Sequence, residues 1–201
     1  MTLGLEVWVP LGLAAILAAF TAAKLLRMDA RDLDQTVLLL RPVDVGAIGK
    51  LLGPEQEAIM RRTLSARAYA EAQPMRMKLL SEYLRRISHN STELLRWAES
   101  EKARSSQRHP GQQTPSDKLI LFVMSSSTAI RRHALYAIFK MAIWRGLNLA
   151  KFRIMPSLSL SDLREWNGGD ILAIYEELTS AAAEVVLAIR PDMYEQFLAA
   201  L

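Results

Sequence analysis

The feature that most constrains this chain is a run of seventeen uncharged residues, 7–23, bounded by Glu6 and Lys24. A helix rises about 1.5 Å per residue, so the run would be roughly 26 Å long. With the leucines on either side it would cross the ~30 Å hydrocarbon core of a bilayer. We therefore predict a transmembrane anchor over residues 1–28, with these anchor side chains: Val7, Trp8, Leu11, Leu13, Ile16, Leu17 and Phe20.

Two other interpretations of this segment were weighed. A cleaved signal peptide carries positive residues before its apolar run, and here no Lys or Arg precedes residue 7. A buried core helix is typical of apolar runs of about 10–14 residues, which is shorter than this one. The charge pattern and the length therefore favour an anchor that stays on the chain.

The flanking charges predict how the anchor is oriented. Lys24, Arg27 and Arg31 follow the apolar run, and no basic residue precedes it. Positive residues next to a membrane span stay on the cytoplasmic side. We therefore expect a single-pass protein with its N-terminus outside and residues 29–201 in the cytoplasm.

The remainder of the 201-residue chain is predicted to form one domain, 29–201, of all-α class. A domain of this length buries roughly 70% of its unfolded surface, which is enough for a hydrophobic core. The chain has few β-branched runs, nine glycines and eight prolines, and its apolar residues recur at helical spacing. The predicted architecture is an antiparallel helical bundle behind the anchor, with a flexible linker at 105–116.

Prolines and polar caps predict where the helices begin. Asp44 is expected to cap a helix over 45–52, and Pro54 to open one that runs to about residue 72. Ile59, Leu64 and Ala68 are expected to face inward from it. Pro74 is expected to open a long helix to about residue 104. Its buried seam, at spacings of three and four, is predicted to be Leu80, Leu84, Ile87, Ser91, Leu94 and Ala98.

The second half of the chain predicts two further long helices. Thr114 and Asp117 match a capping box at the start of a segment that runs to about residue 151. A buried strand and a second membrane span were weighed for this segment, and a central bundle helix is favoured. The last long helix is expected over 170–189. Pro191 should break it before a short helix with Met193, Phe197 and Leu198 inward.

Charge is distributed unevenly over this half. Residues 118–161 contain no acid, and their seven basic residues are Lys118, Arg131, Arg132, Lys140, Arg145, Lys151 and Arg153. Residues 162–201 carry eight acids and two arginines. The two segments would complement each other as neighbours in the bundle. Alternatively, the basic segment would face anionic lipid headgroups or a partner. Nucleic-acid binding is disfavoured because the net charge is only +4 and aromatic residues are not interleaved with the basic ones.

No residue pattern predicts catalysis. The absence of cysteine excludes disulfides, thiolate metal sites and cysteine nucleophiles. His89, His109 and His133 have no second His or acid at metal-ligand spacing, and Ser126 with His133 is too widely spaced for a nucleophile and its base. We therefore predict no catalytic, cofactor-binding or metal-binding residues and no small-molecule substrate.

The segments 39–44 (LLRPVD) and 53–57 (GPEQE), behind an N-terminal anchor, resemble uncharacterised bacterial single-pass membrane proteins. The resemblance covers roughly residues 36–104. It implies an anchor followed by a helical domain, and it implies no activity, substrate or site residue. We expect the membrane to be a bacterial inner membrane.

The sequence thus predicts a membrane-tethered, non-enzymatic helical module that binds a protein partner or itself. One alternative is a domain that binds anionic lipid through residues 118–153. A third hypothesis is an enzyme whose site the sequence does not reveal.

Overall fold

The computed structural model describes residues 31–108, 114–149 and 169–201. The predicted anchor and the flanking charges Lys24 and Arg27 lie outside the described residues. Residues 31–201 form one compact unit. No helix in the described ranges combines the length and the apolar character needed to cross a bilayer.

Every element of the described chain is helical, which confirms the all-α class. The helices are α1 (Leu33–Leu39), α2 (Val45–Leu52), α3 (Pro54–Thr63), α4 (Ala66–Arg108), α5 (Pro115–Leu149), α6 (Gly169–Ile189) and, after a 3₁₀ turn (Pro191–Met193), α7 (Tyr194–Ala200).

Two predicted helix starts are confirmed by their capping bonds. The Asp44 carboxylate accepts the Ala47 N–H at 2.8 Å, at the start of α2. At α5, the Thr114 N–H donates to Asp117 Oδ2 at 2.6 Å and the Asp117 N–H donates to Thr114 Oγ1 at 3.3 Å. Both bonds satisfy N–H groups that the first turn of a helix leaves without partners.

The three long helices form an up–down–up bundle. The Ser105 hydroxyl donates to Asp117 Oδ1 at 2.6 Å, so the end of α4 lies beside the start of α5 and the two are antiparallel. Tyr175, early in α6, contacts Asn90 of α4, and Arg190 after α6 contacts Asp34 of α1. Asp32, just before α1, pairs with Arg104 near the end of α4. Helix α6 therefore runs in the same direction as α4. Helix α5 packs against both, as predicted for a central helix.

The predicted seam of α4 is confirmed, because all six of its residues are buried. On α5 the core is built from Ile120, Val123 and Ile130, and on α6 from Leu178, Val185 and Val186. The Trp97 ring of α4 reaches Phe197 of α7, with ring centroids 6.2 Å apart.

The prediction that Pro74 opens the long helix is wrong. Helix α3 ends at Thr63, and α4 begins at Ala66 and continues through Pro74. The Ser65 hydroxyl caps α4 by accepting the Ala68 N–H at 3.2 Å. Proline inside a helix loses one backbone hydrogen bond and crowds the preceding turn. Here Gln73 and Arg76, on both sides of Pro74, bind the Glu57 carboxylate, and these bonds hold the helix together across it.

Three apolar residues predicted to face inward are exposed. Ile59 is 54% exposed and Leu64 is also at the surface, because the side of α3 that faces α4 carries the buried Glu57 instead. Leu198 of α7 is 42% exposed, whereas Met193 and Phe197 are buried as predicted. Ile59 and Leu198 lie in helices as predicted, and the buried face of each helix was set by a partner that is distant in sequence. Leu64 lies between α3 and α4, outside both helices.

The linker predicted at 105–116 begins later in the structure than the sequence predicts, because α4 continues into it. The helix extends to Arg108, and α5 begins at Pro115. Residues 109–113 between them lie outside the described part of the chain.

Candidate functional site

The outward side of α5 carries an apolar surface. Leu135 is 60% exposed and Phe139 is 62% exposed, and the Tyr136 side chain is also exposed. Leu121 and Phe122 are exposed near the start of the helix, at least ten residues before Arg132, and the exposed polar Ser125 and Thr128 lie between. Residues three, four and seven positions apart share one side of a helix, so Arg132, Leu135, Tyr136 and Phe139 form one surface. We call it the α5 face and define it by these four residues.

Two basic residues accompany the α5 face. Arg132 is exposed and has no ion-pair partner among the described residues. The Lys140 ammonium lies 4.3 Å from the centroid of the Tyr136 ring, at cation–π distance. The face therefore combines aromatic surface with positive charge.

The other predicted basic residues are placed differently. Arg131 points inward and is half-buried. Burial lowers the pKa of its guanidinium, and Arg96 of α4 acts in the same direction, whereas Glu99 opposes them. Arg145 belongs to α5, and its side chain is not among those described. Lys151 and Arg153 lie outside the described residues. Of the predicted basic set, the structure thus brings Arg132 and Lys140 together on one surface.

A second surface lies between α6 and α7. It is an open groove of about 460 Å³, lined by apolar side chains that include Leu187, Tyr194 and Leu198. Glu176 and Glu184 are exposed along the same groove, and neither has an ion-pair partner among the described residues. We call it the α6–α7 groove. No sequence pattern predicts this groove, because it forms only when α7 folds back beside α6.

A buried carboxylate joins α3 to α4. Glu57 accepts hydrogen bonds from Arg76 at 2.5 Å, from Gln73 at 3.3 Å and from the Tyr69 hydroxyl. Arg76 also donates to the Leu51 carbonyl at 2.8 Å, which attaches α2. Burial raises the pKa of Glu57, but the bonds from Tyr69 and Arg76 and the nearby positive charges outweigh it and hold the pKa below its ordinary value. Sequence patterns do not predict this cluster, because Glu57 and Arg76 are nineteen residues apart.

A further ionic cluster fixes the start of the compact unit. The Arg31 guanidinium pairs with the buried Glu93 carboxylate at 3.2 Å, and Arg96 pairs with the same carboxylate at 3.0 Å. The Arg31 N–H donates to the Ser100 hydroxyl at 2.8 Å. Arg31, predicted only as a topology charge, thus also ties the chain to the middle of α4.

Asn90 holds the turn between α1 and α2. Its side-chain amide binds both backbone groups of Arg41, accepting the N–H at 2.9 Å and donating to the carbonyl at 2.8 Å. It also donates to the Tyr175 hydroxyl at 2.8 Å. Because Asn90 is fully buried, these bonds satisfy polar groups that have no access to water. Their role is structural.

The buried Tyr175 predicts loss of stability at alkaline pH. The pKa of Tyr175 is raised to about 12 because the side chain is buried. The hydrogen bond from Asn90 acts in the opposite direction and lowers the pKa in part. Between the ordinary tyrosine pKa of about 10 and this value, the unfolded chain loses a proton that the folded chain keeps. The free energy of unfolding should therefore fall with a slope of up to about 1.4 kcal/mol per pH unit above pH 10.

Urea denaturation from pH 8 to pH 11.5 would measure this slope. Tyr175→Phe should remove most of it, and Tyr69, whose pKa burial also raises, should account for the rest. Tyr136→Phe, which removes the hydroxyl of an exposed tyrosine, is the matched control. A slope that survives Tyr175→Phe would contradict the assignment.

The described residues contain no group of three His, Cys, Asp or Glu side chains arranged to hold a metal ion. His89 is placed by a bond between its Nε2 and the Leu39 carbonyl at 2.9 Å. In the buried ionic clusters the Glu57 and Glu93 carboxylates are paired with arginines, whereas Gln73 Oε1 and Arg96 Nε have no hydrogen-bond partner among the described residues. The α5 face and the α6–α7 groove are surfaces of the described chain that combine exposed apolar and charged side chains. Comparison with protein-family models, curated proteins and solved structures finds no match for this chain.

Proposed function

We propose that this chain is a membrane-tethered, non-enzymatic helical module that mediates protein–protein interaction at the bacterial inner membrane. The anchor is a single pass over residues 1–28, and residues 29–201 face the cytoplasm. The observation that carries the proposal is the α5 face, on which Leu135, Tyr136 and Phe139 lie together at the surface of the central bundle helix.

The chemistry of the α5 face is that of a binding surface. Single exposed apolar residues are ordinary, but contiguous aromatic and aliphatic side chains on a folded surface are typical of interaction sites. Aromatic residues and arginine are enriched where partners bind and where binding energy concentrates. Tyr136, Phe139 and Arg132 supply that composition within two turns of one helix.

The tether is supported by the uncharged run 7–23 and by the basic residues that follow it. The compact unit begins at Arg31, directly after this segment. A module held at the membrane by a short connection meets other membrane-bound chains at a high effective concentration, so a modest surface suffices for binding.

Protease treatment of intact spheroplasts tests the tether. A tag after Leu201 should stay protected, remain full-length and pellet with membranes. Deletion of residues 1–28 should release the tag into the soluble fraction. A tag digested in intact spheroplasts would contradict the cytoplasmic placement. A processed, soluble tag in the undeleted chain would contradict the anchor.

Photo-crosslinking in cells tests the surface. A photoreactive phenylalanine analogue at Phe139 should yield a discrete adduct, and the same analogue at the exposed Glu177 of α6 is the matched control. The adduct should disappear when Leu135→Asp and Tyr136→Asp are introduced on the same face. Equal yields at both positions would contradict binding through the α5 face.

A second function, binding of anionic lipid, is supported by the absence of acids from 118–149 and by Arg132 beside the exposed aromatic rings. Basic residues at an anionic surface contribute about 1 kcal/mol each. Because the chain lacks cysteine, Phe139→Cys places one fluorophore on the face. In anionic bilayers, brominated lipids should quench it in a salt-sensitive way if lipid is the target. They should leave it unquenched if the target is protein.

A further inference from the structure

The α5 face and the α6–α7 groove are complementary in charge and in character. The face presents Leu135 and Phe139 with Arg132 at their side. The groove presents Leu187 and Leu198 with exposed glutamates. Each surface has apolar contact area and carries charge of one sign, and the two signs are opposite.

The charges of the two surfaces also match in spacing. Arg132 and Lys140 are eight residues apart on α5, and Glu176 and Glu184 are eight residues apart on α6. Eight residues of helix correspond to about 12 Å. Two helices laid side by side would therefore bring both basic residues level with both acids.

The groove offers no basic residue of its own to these acids. Arg190 is the only basic residue between 169 and 201, and its guanidinium is paired with Asp192 at 2.9 Å. Among the described residues, neither Glu176 nor Glu184 is paired with a basic residue. A cation that also carries aromatic surface fits this groove better than a small ion, because Leu187, Tyr194 and Leu198 line it beside the glutamates.

We infer that the occupant of the α6–α7 groove is the α5 face of a second copy of this chain. The inference rests on the proposed function and names the partner as self. Each copy carries both surfaces. If both contacts form between the same two copies, they close a two-fold dimer, and if each forms with a different neighbour, they build rings or open chains.

Disulfide crosslinking in membranes tests the contact directly, because the full chain has no cysteine of its own. Ala142→Cys on α5 and Ser180→Cys in the groove replace small residues, and Ser180 lines the groove. When two differently tagged chains, each with one of these changes, are expressed together and oxidised, we expect a 142–180 adduct. Its yield should exceed that of the 142–142 and 180–180 adducts several-fold.

A charge exchange tests the specificity. One variant carries Arg132→Glu and Lys140→Glu, and the other carries Glu176→Lys and Glu184→Lys. Each variant expressed alone should lower the adduct yield about tenfold, because like charges then meet across the contact. Expressed together, the two variants restore opposite charges at every contact, and the yield should recover. The matched control is Glu177→Lys, an exposed change on α6 that should leave the yield unchanged.

The outcomes separate this inference from the proposed function. A 142–180 yield no higher than the symmetric adducts, or no recovery on mixing, overturns self-association. If Phe139 still photo-crosslinks to another protein in that case, the interaction module stands with a different partner. If Phe139 gives no specific adduct either, both proposals fail. Circular dichroism of each charge variant confirms that the helices are retained.

Discussion

Replacing Trp97 with alanine is expected to lower the free energy of unfolding by about 3–5 kcal/mol, the range for large aromatic side chains removed from a packed core. Trp97 is only 2% exposed and contacts Phe197, so its loss leaves a cavity between α4 and α7. Domains are stable by only about 5–15 kcal/mol, so this single change removes a large share of the total. Guanidinium denaturation followed by circular dichroism would measure it.

Phe139→Ala provides the matched control for Trp97→Ala. It also replaces an aromatic ring by alanine, but the ring is 62% exposed, so stability should change by less than about 0.5 kcal/mol. A double-mutant cycle of Trp97→Ala with Phe197→Ala should show a coupling of about 0.5–1.5 kcal/mol. A loss below 1 kcal/mol for Trp97→Ala, or independent effects of the two changes, would contradict the packing of α7 on α4.

Replacing Glu57 with leucine is expected to weaken the docking of α3 on α4 by about 3–5 kcal/mol. The change leaves the buried Arg76 guanidinium without its carboxylate, and an uncompensated buried charge is the main cost of breaking such a pair. Because this cluster joins α3 to α4, the loss should appear first as faster hydrogen exchange in α3. Exchange in α6 should change less.

Two controls separate the charge effect from simple loss of packing. Glu57→Leu combined with Arg76→Met removes both charges and should recover most of the stability. Glu71→Leu removes a carboxylate from a fully solvated pair with Arg67 and should change stability by less than about 0.5 kcal/mol. If the double variant is no more stable than Glu57→Leu, the cluster does not act through its buried charges.

The sign of the Glu57 pKa shift predicts when the cluster weakens. A carboxyl whose folded pKa lies below its unfolded value stabilises the fold at pH values above that unfolded value. The contribution is lost as pH falls through the lowered folded pKa. Acidification should therefore release α3 in the native chain and have little further effect on Glu57→Leu.

The sequence by itself determined the helical class, most helix starts and the core seam of α4. These features depend on neighbours within one turn. Asp44 and Thr114 satisfy free N–H groups a few residues ahead, and apolar residues three or four apart must share a side of a helix. The seam at Leu80, Leu84 and Ile87 was correct because this local period holds whatever packs against it.

Only the tertiary structure decided which side of α3 is buried, how Pro74 is tolerated and where binding surfaces remain. Glu57 is buried because Arg76 and Tyr69, from another helix, compensate its charge, and Ile59 is exposed as a consequence. The α6–α7 groove exists because α7 folds back beside α6, and the α5 face exists because no described element covers it. These features depend on contacts between residues that are distant in sequence. Local propensity cannot encode them, because they arise only when separate helices share one core.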